Sequence, residues 1–367
     1  MVKGALGGGI LGGHVAYMKA GIFIGIPFNI LFGLYMTYCL YILVISAQIL
    51  YRRTRVTSMS YPDVGEAAMA CFPNPNVAKY SKIFRYTIDA IICIDLFGAC
   101  ACYQIIIAKS IKQLVENTQR TPIEGLGPVF CIMLTVYYAF HFNPNFENLV
   151  KVTKLYNFFE YVGMSVFSMS CSGVVIPIEN NMKDPRKYPQ VLMTGMSLII
   201  CCTFSVSFFG YVGFLQECES PITVNFPMTI FPKILKGGIA VMIYVTHALN
   251  YWVPFNLCFY YLKSRHDQNK ILKWELIYRA CFVIMIGIVA IIFPNINALM
   301  GFLGTFCLSN MAFIWPNMIY LMTIWQRPGL GKYNWRLWKG IVLISIGLFI
   351  LVCGTVVNFN ELLSVFR

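Results

Sequence analysis

Two stretches of this 367-residue chain concentrate residue types that can hold a small charged ligand without a cofactor. The first, KGALGGGILGGHVAYMKAG, places Gly7, Gly8, Gly9, Gly12 and Gly13 within seven positions, around Ile10 and just before His14. Each glycine lowers helix stability by about 1 kcal/mol relative to alanine, so a helix passing through this segment is expected to unwind. Small residues also line close helix contacts, but three glycines in succession exceed what a packing motif requires. At such a break, freed N–H groups and the positive end of the following half-helix attract a carboxylate, while carbonyls of the preceding half attract a cation. The second stretch, FFEYVGMSVFSMSCSGVVIPIENNMKDPRKYP, has a small, polar centre at Ser165, Ser168, Ser170, Ser172 and Gly173. Pro177 follows and prevents an undisturbed helix through the preceding turn. Serines can instead bond back to their own helix, but two interrupted segments in one chain point to a ligand site between them.

Ionisable residues inside apolar runs add proton chemistry. A charge at the centre of a bilayer costs about 2.5–3.5 kcal/mol on insertion scales. Asp95, within YTIDAIICIDLFGAC, reads either as a proton or cation site or as a structural hydrogen bond to a neighbouring helix. Asp89 lies nearer one end of its run, where water reaches it, and Glu160 is expected at an interface with its carboxylate snorkelling out. His14 titrates in the useful range if packing does not fix its tautomer. His247 and Asn250 are candidate cavity residues, although asparagine also bridges helices. Other chemistries lack their residues. No HExxH, CxxC or Cys/His cluster has metal-ligand spacing, and no nucleophile has an evident base, so the chain reads as no enzyme and is expected to need neither metal nor cofactor. Most of its 14 cysteines fall in apolar runs, where they behave as small hydrophobes.

The elements that must carry these residues are membrane helices. Hydrophobic residues make up 58% of the chain and charged residues 12%, far from the roughly one-quarter charge of a soluble domain. Ten apolar runs, at about 4–18, 21–50, 85–114, 125–142, 157–178, 190–214, 235–262, 277–294, 297–325 and 338–358, are mostly of spanning length. In lipid the backbone must satisfy itself, so these are helices of one all-α polytopic bundle. The net charge of +13 sits in short loops after the second, fifth, seventh and ninth runs, which marks cytoplasmic loops rather than a nucleic-acid surface. The acidic loop around Glu217 and Glu219 and the uncharged turn Pro294–Asn297 read as outside. Three runs separate the Arg52 cluster from the Lys183 cluster, an odd number that would put one basic loop outside. A crossing is therefore missing or incomplete, and the stretch from His141 to Tyr156 is where one would belong.

KGALGGGILGG resembles the opening motif KGxxGxGxLGLP of the proton-coupled amino acid transporters, within the amino acid/auxin permease superfamily of transmembrane amino acid transporters. GVVIPIENNMKDPRKYP resembles that family's signature G(V/M)VLPLENxMKxPxxFP, and SPITVNFP, THALNYWVP and IFPNI resemble further family segments. The resemblance implies an eleven-helix, LeuT-type inverted-repeat fold in which helices 1 and 6 break around the substrate. On that template residues 1–367 form a single transporter domain: a first repeat over 1–156, a second over 157–325 and an extra helix at 338–358. The first repeat is expected to lack its fifth helix, between Phe142 and Tyr156, and the chain is expected to lack the family's N-terminal tail, since Met1 opens almost directly into the first run. Two residues depart from the family pattern: Ser170 stands where an acid is usual, and His14 where proline is usual.

The expectation is therefore secondary active transport of small neutral amino acids, coupled to a proton, with sodium as the other candidate ion, in the plasma membrane or a lysosomal or vacuolar membrane. Substrate would be held by Gly7, Gly8, Gly9, Ile10, Gly12, Ser168, Ser170, Ser172 and Asn250, with Asp95 and His14 coupling the ion. The expected partners are a small amino acid, the ion and the lipid bilayer, with no nucleic acid. A non-translocating amino acid sensor on the same fold, or an inactive splice or gene-model variant, is the alternative that the missing helix suggests.

Overall fold

A computed structural model describes residues 8–116, 153–214, 219–225, 230–267 and 270–366. Gly7, the apolar run at 125–142 and most of the join between Phe142 and Tyr156 lie outside the described residues. Gly8–Gly12 forms a tight 3-10 turn that leads into α1 (Gly13–Ala20). Gly21 then redirects the chain at φ 81°, a conformation open to glycine, into α2 (Ile22–Thr54). A short connector follows: α3 (Tyr61–Ala70) and α4 (Pro75–Ala78). In α3, Ser60 and Asp63 cap the first turn reciprocally, satisfying N–H groups that the helix leaves open. The remaining described α-helices are α5 (Ser81–Glu116), α6 (Leu155–Met169), α7 (Ser172–Asn180), α8 (Tyr188–Phe214), α9 (Ile230–Lys263), α10 (Ile271–Ile292), α11 (Ile296–Leu303), α12 (Trp315–Ile324), α13 (Trp335–Phe349) and α14 (Thr355–Leu363). π-Helical stretches at Gly304–Ile314 and Ile350–Gly354 join the last two pairs into continuous rods.

Seven of these rods are long and apolar enough to cross a membrane. α9 has the length but carries His247 and Asn250 mid-helix, which lowers its hydropathy. Of the ten apolar runs, eight form helices, the first is a short interrupted helix, and the fourth is not described. Among residues 271–292 only Ile286 is buried, so α10 turns its apolar side chains outward as a lipid-solvated helix does.

Two apolar clusters organise the interior. One gathers α1, α2, α6 and α8, through residues such as Tyr17, Met36, Tyr161 and Ile199; the other is centred on α5, α9 and α11, through Ile92, Ile106, Ile239 and Leu303. They meet where α6 packs against the rod beginning with α11. There Gly163 faces Gly301 and Gly304 so closely that a Cβ on Gly163 or Gly304 would overlap the opposing backbone, which is how small residues bring membrane helices together.

The basic loops lie on one face. Gln48 Nε2 donates to Pro185 O at 3.3 Å and Arg53 Nη2 to Arg327 O at 2.5 Å, bringing together the loops after α2, α7 and α12. Tyr261 near the end of α9 donates to Asp89 near the start of α5 at 2.7 Å, adding the fourth basic loop. By the charge rule this is the cytoplasmic face. Lys19, Lys109, Glu160 and Asn295 surround one cavity on the opposite face. α5 therefore ends, and α6 begins, on the outer face, and the sequence between residues 117 and 152 holds one apolar run.

Three local expectations are corrected. The second interruption falls at Ser170 and Cys171, within the small polar centre, and Pro177 sits inside α7 without ending it, forgoing one internal bond, the one its N–H would have made to Gly173 O. Glu160 does not snorkel: it is 3% exposed and pairs with Lys19 at 2.7 Å. Asp89 is 5% exposed and bound by Tyr261 rather than hydrated.

Candidate functional site

A cavity of about 110 Å³ lies where the two interruptions meet. Gly9 from the 3-10 turn forms one wall, and its lack of a side chain is required: a Cβ there would lie 2.9 Å from Ser168 Cα and 3.1 Å from Phe167 Cδ1. The opposite wall is the break between α6 and α7, where Ser170 is extended at φ −70°, ψ 129°. At that point the last carbonyls of α6 and the first N–H groups of α7 are left without helical partners, a negative and a positive helix end side by side. The hydroxyls of Ser170 and Ser172 lie 3.4 Å apart at this break. Beyond Gly173 there is open space, since a Cβ built on it meets nothing within 4 Å.

α5 and α9 close the cavity. Asp95, Ala99 and Tyr103 recur every four residues along α5 and so share the face that lines it. Asp95 Oδ1 is buried and has no hydrogen-bond partner. An acceptor in that position is costly unless a proton or ligand completes it. Asn250 of α9 donates to Tyr103 Oη at 3.1 Å, which sets its amide at the cavity edge. Leu308 and Met311, from the π-helical stretch, complete an apolar side.

Five of the residues singled out in the sequence therefore share one cavity: Gly9, Asp95, Ser170, Ser172 and Asn250. Gly8 belongs to the same 3-10 turn. The other sequence-derived candidates do not line it. Ile10 packs against the apolar core, Gly12 faces Met300 and Ser220, and Ser168 donates to Ser165 O at 2.9 Å within its own helix. His14 is fully buried on the outer side, with Nε2 2.8 Å from Glu219 O. A carbonyl only accepts, so Nε2 carries the proton and His14 fastens α1 to the outer loop. His247 accepts from Gln104 Nε2 at 3.4 Å, away from the cavity. Sequence reading missed Tyr103, Phe167 and Met311, and named Gly173 as part of the second interruption but not as a ligand-holding residue. Tyr103 carried a usable signal, two helical turns beyond Asp95 on one face; the others depend on how the helices meet.

An all-helical membrane bundle whose two interrupted helices converge on a small polar cavity belongs to the class of carriers for small solutes. By sequence the chain belongs to the transmembrane amino acid transporter protein family, whose model matches residues 1–153 and 143–359. It is 29% identical over 406 aligned positions to the Proton-coupled amino acid transporter-like protein pathetic of Drosophila melanogaster, covering 100% of this chain and 84% of that protein. It is 21% identical over 408 positions to the Amino acid transporter AVT3C of Arabidopsis thaliana, covering 98% of this chain and 89% of that protein. The family and these relatives are transporters, not enzymes.

Proposed function

We propose that this chain carries small neutral amino acids across its membrane, coupled to protons, by alternating access around the interruptions at Gly8–Gly12 and Ser170–Cys171. The observation that carries the reading is the convergence of Gly9, Ser170, Ser172 and the unpartnered Asp95 on one cavity. The substrate carboxylate lies toward the N–H groups of the first turn, and its ammonium toward the carbonyls and hydroxyls at the end of α6. A cavity of about 110 Å³ suits a small side chain. Asp95 takes the proton: a carboxyl at this depth is far less costly neutral than charged, so protonation and substrate occupancy favour one another. The name of the Drosophila relative supports protons over sodium as the coupling ion. The two repeats, 1–156 and 157–325, would rock against one another about this site, in a plasma, lysosomal or vacuolar membrane.

A sensor that binds amino acid without carrying it is favoured by one observation. The aligned length of 406 positions exceeds the 367 residues of the chain, and the two family matches overlap at 143–153, inside the interval that holds an odd number of apolar runs. Uptake separates the readings. Vesicles containing the protein are given labelled glycine, alanine or proline at external pH of about 5.5 and 7.5, values that bracket a proton gradient of physiological size. Saturable uptake that rises at the lower pH supports carriage; binding without uptake leaves the sensor.

A further inference from the structure

A second, larger cavity of about 280 Å³ opens on the outer face and takes no part in the site above. Its wall is charged where the inner cavity is nearly neutral. Lys109 of α5 and Glu361 of α14 both line it. Among the described residues Glu361 has no ion-pair partner, and Lys109 Nζ donates to Ser220 O at 3.0 Å. Two wall atoms, Ser220 Oγ and Asn297 Oδ1, are buried without hydrogen-bond partners. Buried orphan groups of this kind carry a penalty that a polar ligand would relieve. Beside the Lys19–Glu160 pair and Glu219, which also line it, the cation of Lys109, the carboxylate of Glu361, the Ser220 hydroxyl and the Asn297 amide oxygen around one space match the two ends of an α-amino acid zwitterion.

The position of this cavity gives the match its meaning. Ser220 also abuts the first interruption: a Cβ on Gly12 would lie 3.3 Å from Ser220 Oγ and 3.0 Å from Met300 Cε. Gly9, three residues earlier, walls the inner cavity. The two cavities are thus stacked, with the 3-10 turn, Ser220 and Met300 between them.

We propose that the outer cavity is a second amino acid site, occupied before the inner one, in which Lys109 and Ser220 receive the substrate carboxylate and Glu361 and Asn297 its ammonium. The inference rests on the transport reading, and its test separates the two. The purified full chain in lipid nanodiscs is titrated with tritiated glycine, alanine and proline in turn, and bound label per chain is counted. Three variants accompany it. Gly173→Phe fills the inner cavity from a position with free space around its Cβ; Glu361→Gln and Lys109→Met each remove one outer charge. The expected result is two bound molecules per chain for the wild type, one for each single variant and none for Gly173→Phe combined with Glu361→Gln. One molecule in the wild type, lost in Gly173→Phe and retained in both outer variants, overturns the second site and leaves the transport reading standing. No binding of any of the three amino acids overturns both.

Discussion

Lys19 at the end of α1 and Glu160 in α6 tie the outer halves of the two interrupted helices together at 2.7 Å, and their unequal burial makes a sharp prediction. The side chain of Glu160 is 4% exposed and that of Lys19 28% exposed. Lys19→Met leaves a carboxylate buried with no cation, beside a cavity that already holds Glu361, and should cost about 3 kcal/mol. Glu160→Gln leaves an ammonium that reaches water along its own stem and keeps an amide oxygen to accept from it, so its cost should be about 1 kcal/mol. The double variant should resemble Glu160→Gln, because no buried charge is left behind. Apparent melting temperature of the purified protein in one detergent, measured for all four forms, checks the order: wild type, then Glu160→Gln with the double variant, then Lys19→Met lowest. A Glu160→Gln variant less stable than Lys19→Met would refute the reasoning, since the cost would then follow the lost contact rather than the stranded charge.

Other outcomes follow from close approaches and from the cavity. Gly163→Ala places a methyl against the backbone of Gly301 and Gly9→Ala one against Ser168, so each should lose about 1–3 kcal/mol. Gly238→Ala in α9, where a Cβ meets nothing within 4 Å, should gain up to about 1 kcal/mol from helix propensity; the same melting assay ranks all three. Asp95→Asn should abolish the dependence of uptake on external pH while substrate-for-substrate exchange continues, measured as counterflow in vesicles. Unchanged pH dependence in that variant would remove Asp95 from coupling. His14→Ala should weaken the hold of α1 on Glu219 and loosen the outer loop, seen as faster hydrogen exchange in residues 219–225, without removing the pH dependence of uptake.

What was legible in the sequence was local. Five glycines in seven positions weaken a helix wherever it sits, and a small, serine-rich centre does the same in α6, so both interruptions and their shared cavity could be anticipated. Asp95 and Asn250 stood out because polar groups at membrane depth need a reason. The failures share one cause: a partner distant in the chain decides the outcome. Glu160 is buried rather than interfacial because Lys19, 141 positions earlier, supplies its counter-charge. His14 is turned outward by Glu219, and Ser168 is turned back to Ser165 by the close passage of Gly9. Pro177 drew attention as a breaker, yet the chain breaks where two small residues let α6 end, nearly two turns earlier. The π-helical stretch at Gly304–Ile314 has no composition signal; it begins where Gly304 packs against the backbone of Gly163.

The charge pattern proved as informative as the motifs. The basic loops after α2 and α7 lie on one face although three apolar runs, an odd number, separate them in the sequence, and the two family matches join within that interval. Whether a bundle with that count still carries substrate turns on the inner cavity. The most direct measurement is uptake of labelled glycine, alanine and proline into vesicles by the wild type and by Gly173→Phe, with equal amounts of folded protein verified by melting temperature. The account predicts saturable uptake by the wild type and none by Gly173→Phe. Uptake by Gly173→Phe with an unchanged KM would contradict it, because substrate would then be passing somewhere other than between the two interrupted helices.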